Sequence, residues 1–100
     1  MILSSITLLQ LDCLDAPSIT VKPVGKVVNV SDRVVLTCDA IGVPTPEFFW
    51  TKKADSTFEV KGKTLDLGYV ERKDKGEYFC NVKNEVGSTS ERAEIKIQRK

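Results

Sequence analysis

Apolar and polar residues alternate along much of the chain with a period of two, the spacing that sends successive side chains to opposite faces of a β-strand. Ser18-Ile19-Thr20-Val21-Lys22-Pro23 is such a run and closes on a proline, as edge strands tolerate. Gly25 permits a kink, after which Lys26-Val27-Val28-Asn29-Val30 continues the same edge onto a second sheet. Ser31-Asp32 makes a turn, and Arg33 to Cys38 follows as a strand with Val34, Leu36 and Cys38 inward. Two prolines fix φ and remove two donors in Gly42-Val43-Pro44-Thr45-Pro46, so that stretch is a rigid turn. Glu47 to Lys52 is the next strand, with Phe48 and Trp50 inward by parity. Lys53 to Lys63 is weakly patterned and holds at most one small strand, around Thr57 to Val60. Leu65 and Leu67 mark another strand, and Arg72 to Gly76 a turn. Tyr78, Cys80 and Val82 then alternate inward, Asn84-Glu85-Val86-Gly87 has hairpin composition, and Ser90 to Gln98 sends Ala93, Ile95 and Ile97 to the core. The alternation predicts an all-β chain.

Residues 1–16 do not continue this pattern cleanly. The apolar run from Ile2 to Leu11 is far too short to span a bilayer. One reading is the hydrophobic region of a signal peptide, although no Lys or Arg precedes it and Leu14-Asp15-Ala16 is a poor cleavage site. The other is the last strand of a preceding domain, Ile6 to Leu11, running into a linker Asp15-Ala16-Pro17. Both place the folded unit at residues 17–100, with 1–16 as a separate N-terminal segment.

Composition narrows the chemistry. One hundred residues support one compact domain with one core. Charged residues make up 29% with a net charge of +1 and both signs interspersed, so no electrostatic footprint for nucleic acid is present. Lys61 and Lys63 are flanked by Glu59 and Asp66, which suits a solvated loop. The chain has no histidine, hence none of the usual general base, metal ligand or physiological pH switch. Cys13, Cys38 and Cys80 lie too far apart for a zinc or thiol-exchange pair, and the glycines are scattered singly rather than gathered into a phosphate loop. The expectation is no enzyme, no cofactor, no metal and no small-molecule substrate.

Cys38, then Trp50, then Tyr78-x-Cys80 form a more specific pattern, preceded by Leu65-x-Leu67-x-x-Val70-x-x-x-Asp74-x-Gly76. From about Pro17 to Lys100 the chain resembles an immunoglobulin-superfamily domain, which these residues typify. The resemblance implies a Greek-key sandwich of two antiparallel sheets, about seven or eight strands, with one disulfide between Cys38 and Cys80 crossing the gap. Those cysteines enclose 41 residues; closing such a loop is worth about 4 kcal/mol in the chain-entropy model. Trp50 is implied to pack on the disulfide, and Tyr78 to close a corner by donating its hydroxyl to backbone near Asp74. Trp50, Leu65, Leu67, Asp74, Gly76 and Tyr78 are therefore core signature, not functional sites. Asp74 in related domains pairs with an arginine; with none between Trp50 and Leu65, either Lys61 or Lys63 substitutes or the pair is missing. The chain is too short for the two extra strands of a variable-type domain, and Asn84-x-x-Gly87 with the long last strand resembles the intermediate set.

Function is then expected from the surface. Phe49 and Phe79 each lie one step from an inward anchor, so both point out of the same sheet, where an aromatic patch marks a contact face. Asn81 and Lys96 complete this candidate binding face; the bland alternative is that loops or long side chains such as Lys96 cover the rings. Asn29-Val30-Ser31 is the only glycosylation triplet, with Asn29 outward. Cys13 is left over once the resemblance pairs the other two; it is removed with a signal, reactive or a link between two chains, and is most simply an incidental cysteine in a processed or mobile segment. The resemblance, with the glycosylation triplet, implies an extracellular, secreted or cell-surface module of an adhesion molecule or receptor. It would bind a protein partner or itself, beside neighbouring immunoglobulin domains. The alternative is a spacer module of an intracellular muscle or cytoskeletal protein.

Overall fold

The computed structural model describes residues 14–98. Its strands are β1 (Asp15–Val21), β2 (Lys26–Asn29), β3 (Arg33–Thr37), β4 (Asp39–Val43), β5 (Glu47–Lys52), β6 (Asp55–Lys61), β7 (Thr64–Tyr69), β8 (Gly76–Lys83) and β9 (Ser88–Gln98), with one 3-10 turn at Arg72–Asp74. One layer is a five-stranded sheet in the order β2-β9-β8-β5-β6. The other consists of two two-stranded ribbons, β1-β4 and β3-β7. Only Cys38 separates β3 from β4, so the two ribbons share an interrupted central strand.

The N-terminal edge does change layers: β1 pairs with β4 in one, β2 with β9 in the other. Gly25 makes the crossing possible, because a Cβ there would stand 2.8 Å from the backbone oxygen of Glu94. Since β2 runs parallel to β9, the five-stranded sheet is mixed rather than purely antiparallel, which corrects the expectation of two antiparallel sheets. β4 was not expected either. Its sequence Asp-Ala-Ile-Gly-Val has turn-like composition and sends only Ala40 to the core. β6 is longer than its weak pattern suggests, and it packs Phe58 and Val60 against the core. β1 begins at Asp15; the expected strand Ile6–Leu11 and Cys13 lie outside the described residues.

The core lies between the layers. The bond between Cys38 and Cys80 spans it, with Cα atoms 6.5 Å apart. Trp50, Leu36, Leu65, Val82 and Ile95 are buried around it, while Leu67 and Phe48 pack from the margin. The indole Nε1 of Trp50 donates to the Gly62 oxygen at 3.0 Å, so its polar end is satisfied. Tyr78 is buried, donates its hydroxyl to the Asp74 oxygen, and meets Phe58 edge-on at 5.5 Å. Burial, with the Asp74 charge adding, pushes the Tyr78 phenol up to about 12.

Neither Lys61 nor Lys63 substitutes for an arginine at Asp74. Asp74 accepts instead from the Glu71 N–H at 2.8 Å and caps the short turn, and among the described residues it forms no ion pair. Lys63 pairs with Asp39 at 3.2 Å, while the close arginine–carboxylate contact is Arg33 to Asp66, 2.7 Å, across β3 and β7.

Candidate protein-binding face

The outward surface of the five-stranded sheet follows from its inward anchors. Tyr78, Cys80 and Val82 are buried on β8, which turns Glu77, Phe79, Asn81 and Lys83 out. Trp50 does the same for Phe49 and Thr51 on β5, and Ala93 and Ile95 for Ser90 and Arg92 on β9. Strand register decides which of these meet. Phe49 stands opposite Asn81, and Phe79 opposite Thr51 and Arg92. The rings are therefore diagonal neighbours rather than side by side.

Asn81 occupies the position between them. Its amide nitrogen lies 3.2 Å from the Phe49 oxygen, 3.0 Å from Thr51 Oγ1 and 3.2 Å from the Phe79 oxygen. Both rings are half-buried, as in the alternative in which long side chains cover them, although Lys96 is not the side chain that does so. The physical cause is neighbouring side chains: the Lys83 ammonium lies 5.8 Å from the centre of the Phe49 ring, and Arg92 sits opposite Phe79 while reaching Glu77 at 3.3 Å. Lys96 does not take part. It lies beyond the last β8–β9 pair, Gly76 with Ile95, and sits beside Val27 on β2. The structure thus brings Phe49, Phe79 and Asn81 together and leaves Lys96 apart.

Around Phe49 the surface is shaped. A shallow depression runs from it over Asn81, Lys83, Ser88 and Ser90; another runs over Glu47, Glu59, Lys61 and Gly62. Thr51, Ser90 and Lys83 were not singled out from sequence, although the parity rule applied to their own strands would have placed them outward.

Asn84 has a role that composition alone does not reveal. Its Nδ2 donates to the Asp15 oxygen at 2.8 Å and the Pro44 oxygen at 3.0 Å, while Oδ1 accepts from the N–H groups of Val86 and Gly87. One side chain thereby ties the start of β1, the turn before β5 and the β8–β9 hairpin together.

Asn29 lies opposite Gln98, at the far end of β9 from Ser90. The carboxyls held below their usual range serve turns and ribbons. Asp39 accepts from the Ala40 N–H and pairs with Lys63, Asp55 accepts from the Thr57 hydroxyl and N–H, and Asp66 pairs with Arg33 and accepts from the Gly68 N–H. Among the described residues no group of three or more Cys, Asp and Glu is placed to hold a metal ion.

Comparison with known proteins accords with the fold. The family described as "Immunoglobulin domain" matches residues 16–84. Vascular endothelial growth factor receptor 2 of Danio rerio is 32% identical over 96 residues, which is 89% of this chain and 7% of that protein. Neural cell adhesion molecule 1-A of Xenopus laevis is 31% identical over 77% of this chain and 8% of its own length. The chain thus spans less than a tenth of either relative. In a crystal structure of the titin M10–obscurin-like 1 Ig complex, a chain superposes with a TM-score of 0.75 over 86% of this chain and 97% of that one, at 19% identity, a likeness of fold alone. The chain belongs to the immunoglobulin-domain family.

Proposed function

We propose that this immunoglobulin domain is an extracellular protein-binding module of a cell-surface adhesion molecule or receptor, and that its partner protein docks on the outer face of the five-stranded sheet. The observation that carries the reading is the group Phe49, Asn81 and Phe79. Two half-buried aromatic rings flank an amide whose nitrogen lies within 3.2 Å of two backbone oxygens and the Thr51 hydroxyl, next to shallow depressions lined by small and polar side chains. Rigid aromatics that a partner can bury with little loss of freedom are the usual anchors of protein interfaces. A receptor and an adhesion molecule among the relatives support the class and, with it, a protein partner. The disulfide fits an oxidising compartment. The same similarities support further immunoglobulin domains beside this one.

The test uses the fluorescently labelled domain, multimerised, on cells that display candidate surface proteins. Binding is expected to disappear when those cells are treated with protease, and to fall at least tenfold for Phe49→Ser, Phe79→Ser and Ser90→Arg. Ser90→Arg touches no core residue, so its melting temperature should match that of the parent. Undiminished binding by Ser90→Arg and Phe49→Ser would refute this face as the docking surface. Collapse of the melting temperature in both Phe variants would assign the rings to the core.

A further inference from the structure

The triplet Asn29-Val30-Ser31 lies outside the proposed binding face, with Asn29 half-buried at the end of β2 and Val30 and Ser31 exposed. Val28 packs against the core, so Asn29 shares the outer face of β2 with Val27. The backbone there is held firmly. Asn29 N–H donates to Asp32 Oδ2 at 2.9 Å, the Asp32 N–H returns to the Asn29 oxygen at 3.0 Å, and the Ser31 N–H donates to the Val70 oxygen at 2.8 Å. The Asn29 side-chain amide, by contrast, forms no hydrogen bond among the described residues and is not enclosed, since no buried side-chain nitrogen or oxygen there lacks a partner. A second observation concerns the strand itself. β2 pairs only with β9 among the described strands, so its other edge is open. Val27 on β2 and Val24 and Val30 just outside it are 57%, 69% and 42% exposed. An unpaired edge beside exposed aliphatic residues is a template for pairing with another chain, and proteins ordinarily cover or charge such edges.

We propose that Asn29 carries an N-linked oligosaccharide and that this glycan covers the open edge of β2. The amide nitrogen of Asn29 bonds to C1 of the first sugar of a polyprenyl-diphosphate-linked oligosaccharide. The C1–oxygen bond breaks, the lipid diphosphate leaves with its electron pair, and the nitrogen gives up one proton. Ser31 supplies the hydroxyl that makes the triplet an acceptor. The position also separates glycan from partner: Asn29 lies opposite Gln98 and Asn81 opposite Ser90, so about 26 Å of strand lies between them at roughly 3.3 Å per residue. The glycan leaves the Phe49–Asn81 surface open.

This inference rests on the extracellular reading, because such a donor is met in a secretory lumen, and the experiment separates the two. The whole chain is expressed in eukaryotic cells behind a heterologous secretion signal, and the secreted protein is treated with peptide-N-glycosidase. One discrete mass loss is expected for the parent and none for Asn29→Gln or Ser31→Gly; the glycine also accommodates the positive φ of 79° at residue 31, so that variant folds without strain. In sedimentation the two unglycosylated variants are expected to self-associate, and Val27→Glu added to Asn29→Gln should restore the monomer. A secreted parent with no mass loss overturns the glycan while leaving the extracellular reading intact. Glycosylated parent and Asn29→Gln that are equally monomeric overturn the covering role. The extracellular reading is decided separately by the thiol count of natively purified protein, where three free thiols would refute it.

Discussion

Single side chains in this domain act by joining segments that are distant in sequence. Asn84 bonds to a carbonyl 69 residues away at Asp15 and another 40 residues away at Pro44, and it also orders its own hairpin. Asn84→Ala leaves those carbonyls and two N–H groups to water or to nothing, a loss of about 1–3 kcal/mol. The expected result is a lower urea midpoint and faster amide exchange at Val86 and Gly87. Asn84→Asp keeps an acceptor for the hairpin but no donor for Asp15 and Pro44, so it should recover protection in the hairpin alone. Its Asn84-x-x-Gly87 composition foretold a hairpin; the longer bonds were not legible, because they depend on where two other turns arrive. Tyr78 is the opposite case. Its place two residues before Cys80 is a local spacing, and the bond from its hydroxyl to Asp74 spans only four residues.

At the scale of elements, parity and register divide the information. Parity put Phe49 and Phe79 on one face, since side chains alternate whatever the strand pairs with. Register alone set them diagonally, with Asn81 between. Register also removed Lys96 from that group, because β9 runs past the end of β8 and continues beside β2. The parallel docking of β2 depends on Gly25, whose missing side chain admits the Glu94 backbone. Gly25→Ala would force that backbone aside and cost about 1–3 kcal/mol, as overpacking does. Hydrogen exchange should show the loss locally, with Lys26 to Asn29 deprotected and β5 and β8 unaffected. Uniform deprotection of all strands would contradict β2 as a separately docked edge. β4 was hidden for a related reason: Ile41 and Val43 face solvent at 64% and 42% exposure, so its apolar residues do not mark the buried side.

The molecule as a whole combines these pieces into a pH-dependent stability with two limbs. Asp39, Asp55 and Asp66 titrate below the ordinary value of 3.8 in the folded state. Their contribution is therefore complete above that value and is lost as pH falls through their folded pKa values. Tyr78 behaves inversely, with a folded pKa raised from 10.0 to about 12. Stability should hold up to pH 10 and fall between there and about 12, as the unfolded chain ionises first. Urea midpoints measured across pH test both limbs. Asp66→Asn should shallow the acid limb, and Tyr78→Phe should remove the alkaline one at a loss of about 1 kcal/mol at neutral pH. An alkaline limb unchanged in Tyr78→Phe would mean another group causes it. The amino-acid sequence by itself determined the sandwich: Cys38, Trp50, Tyr78 and Cys80, with the alternation around them, select inward faces by rules that act within each strand. Tertiary structure decided the parallel edge, the strand hidden at Asp39–Val43, the three-way tie at Asn84 and the company Phe49 keeps. Each of those depends on how strands lie against one another, and that is set by the packing of residues far apart in the chain.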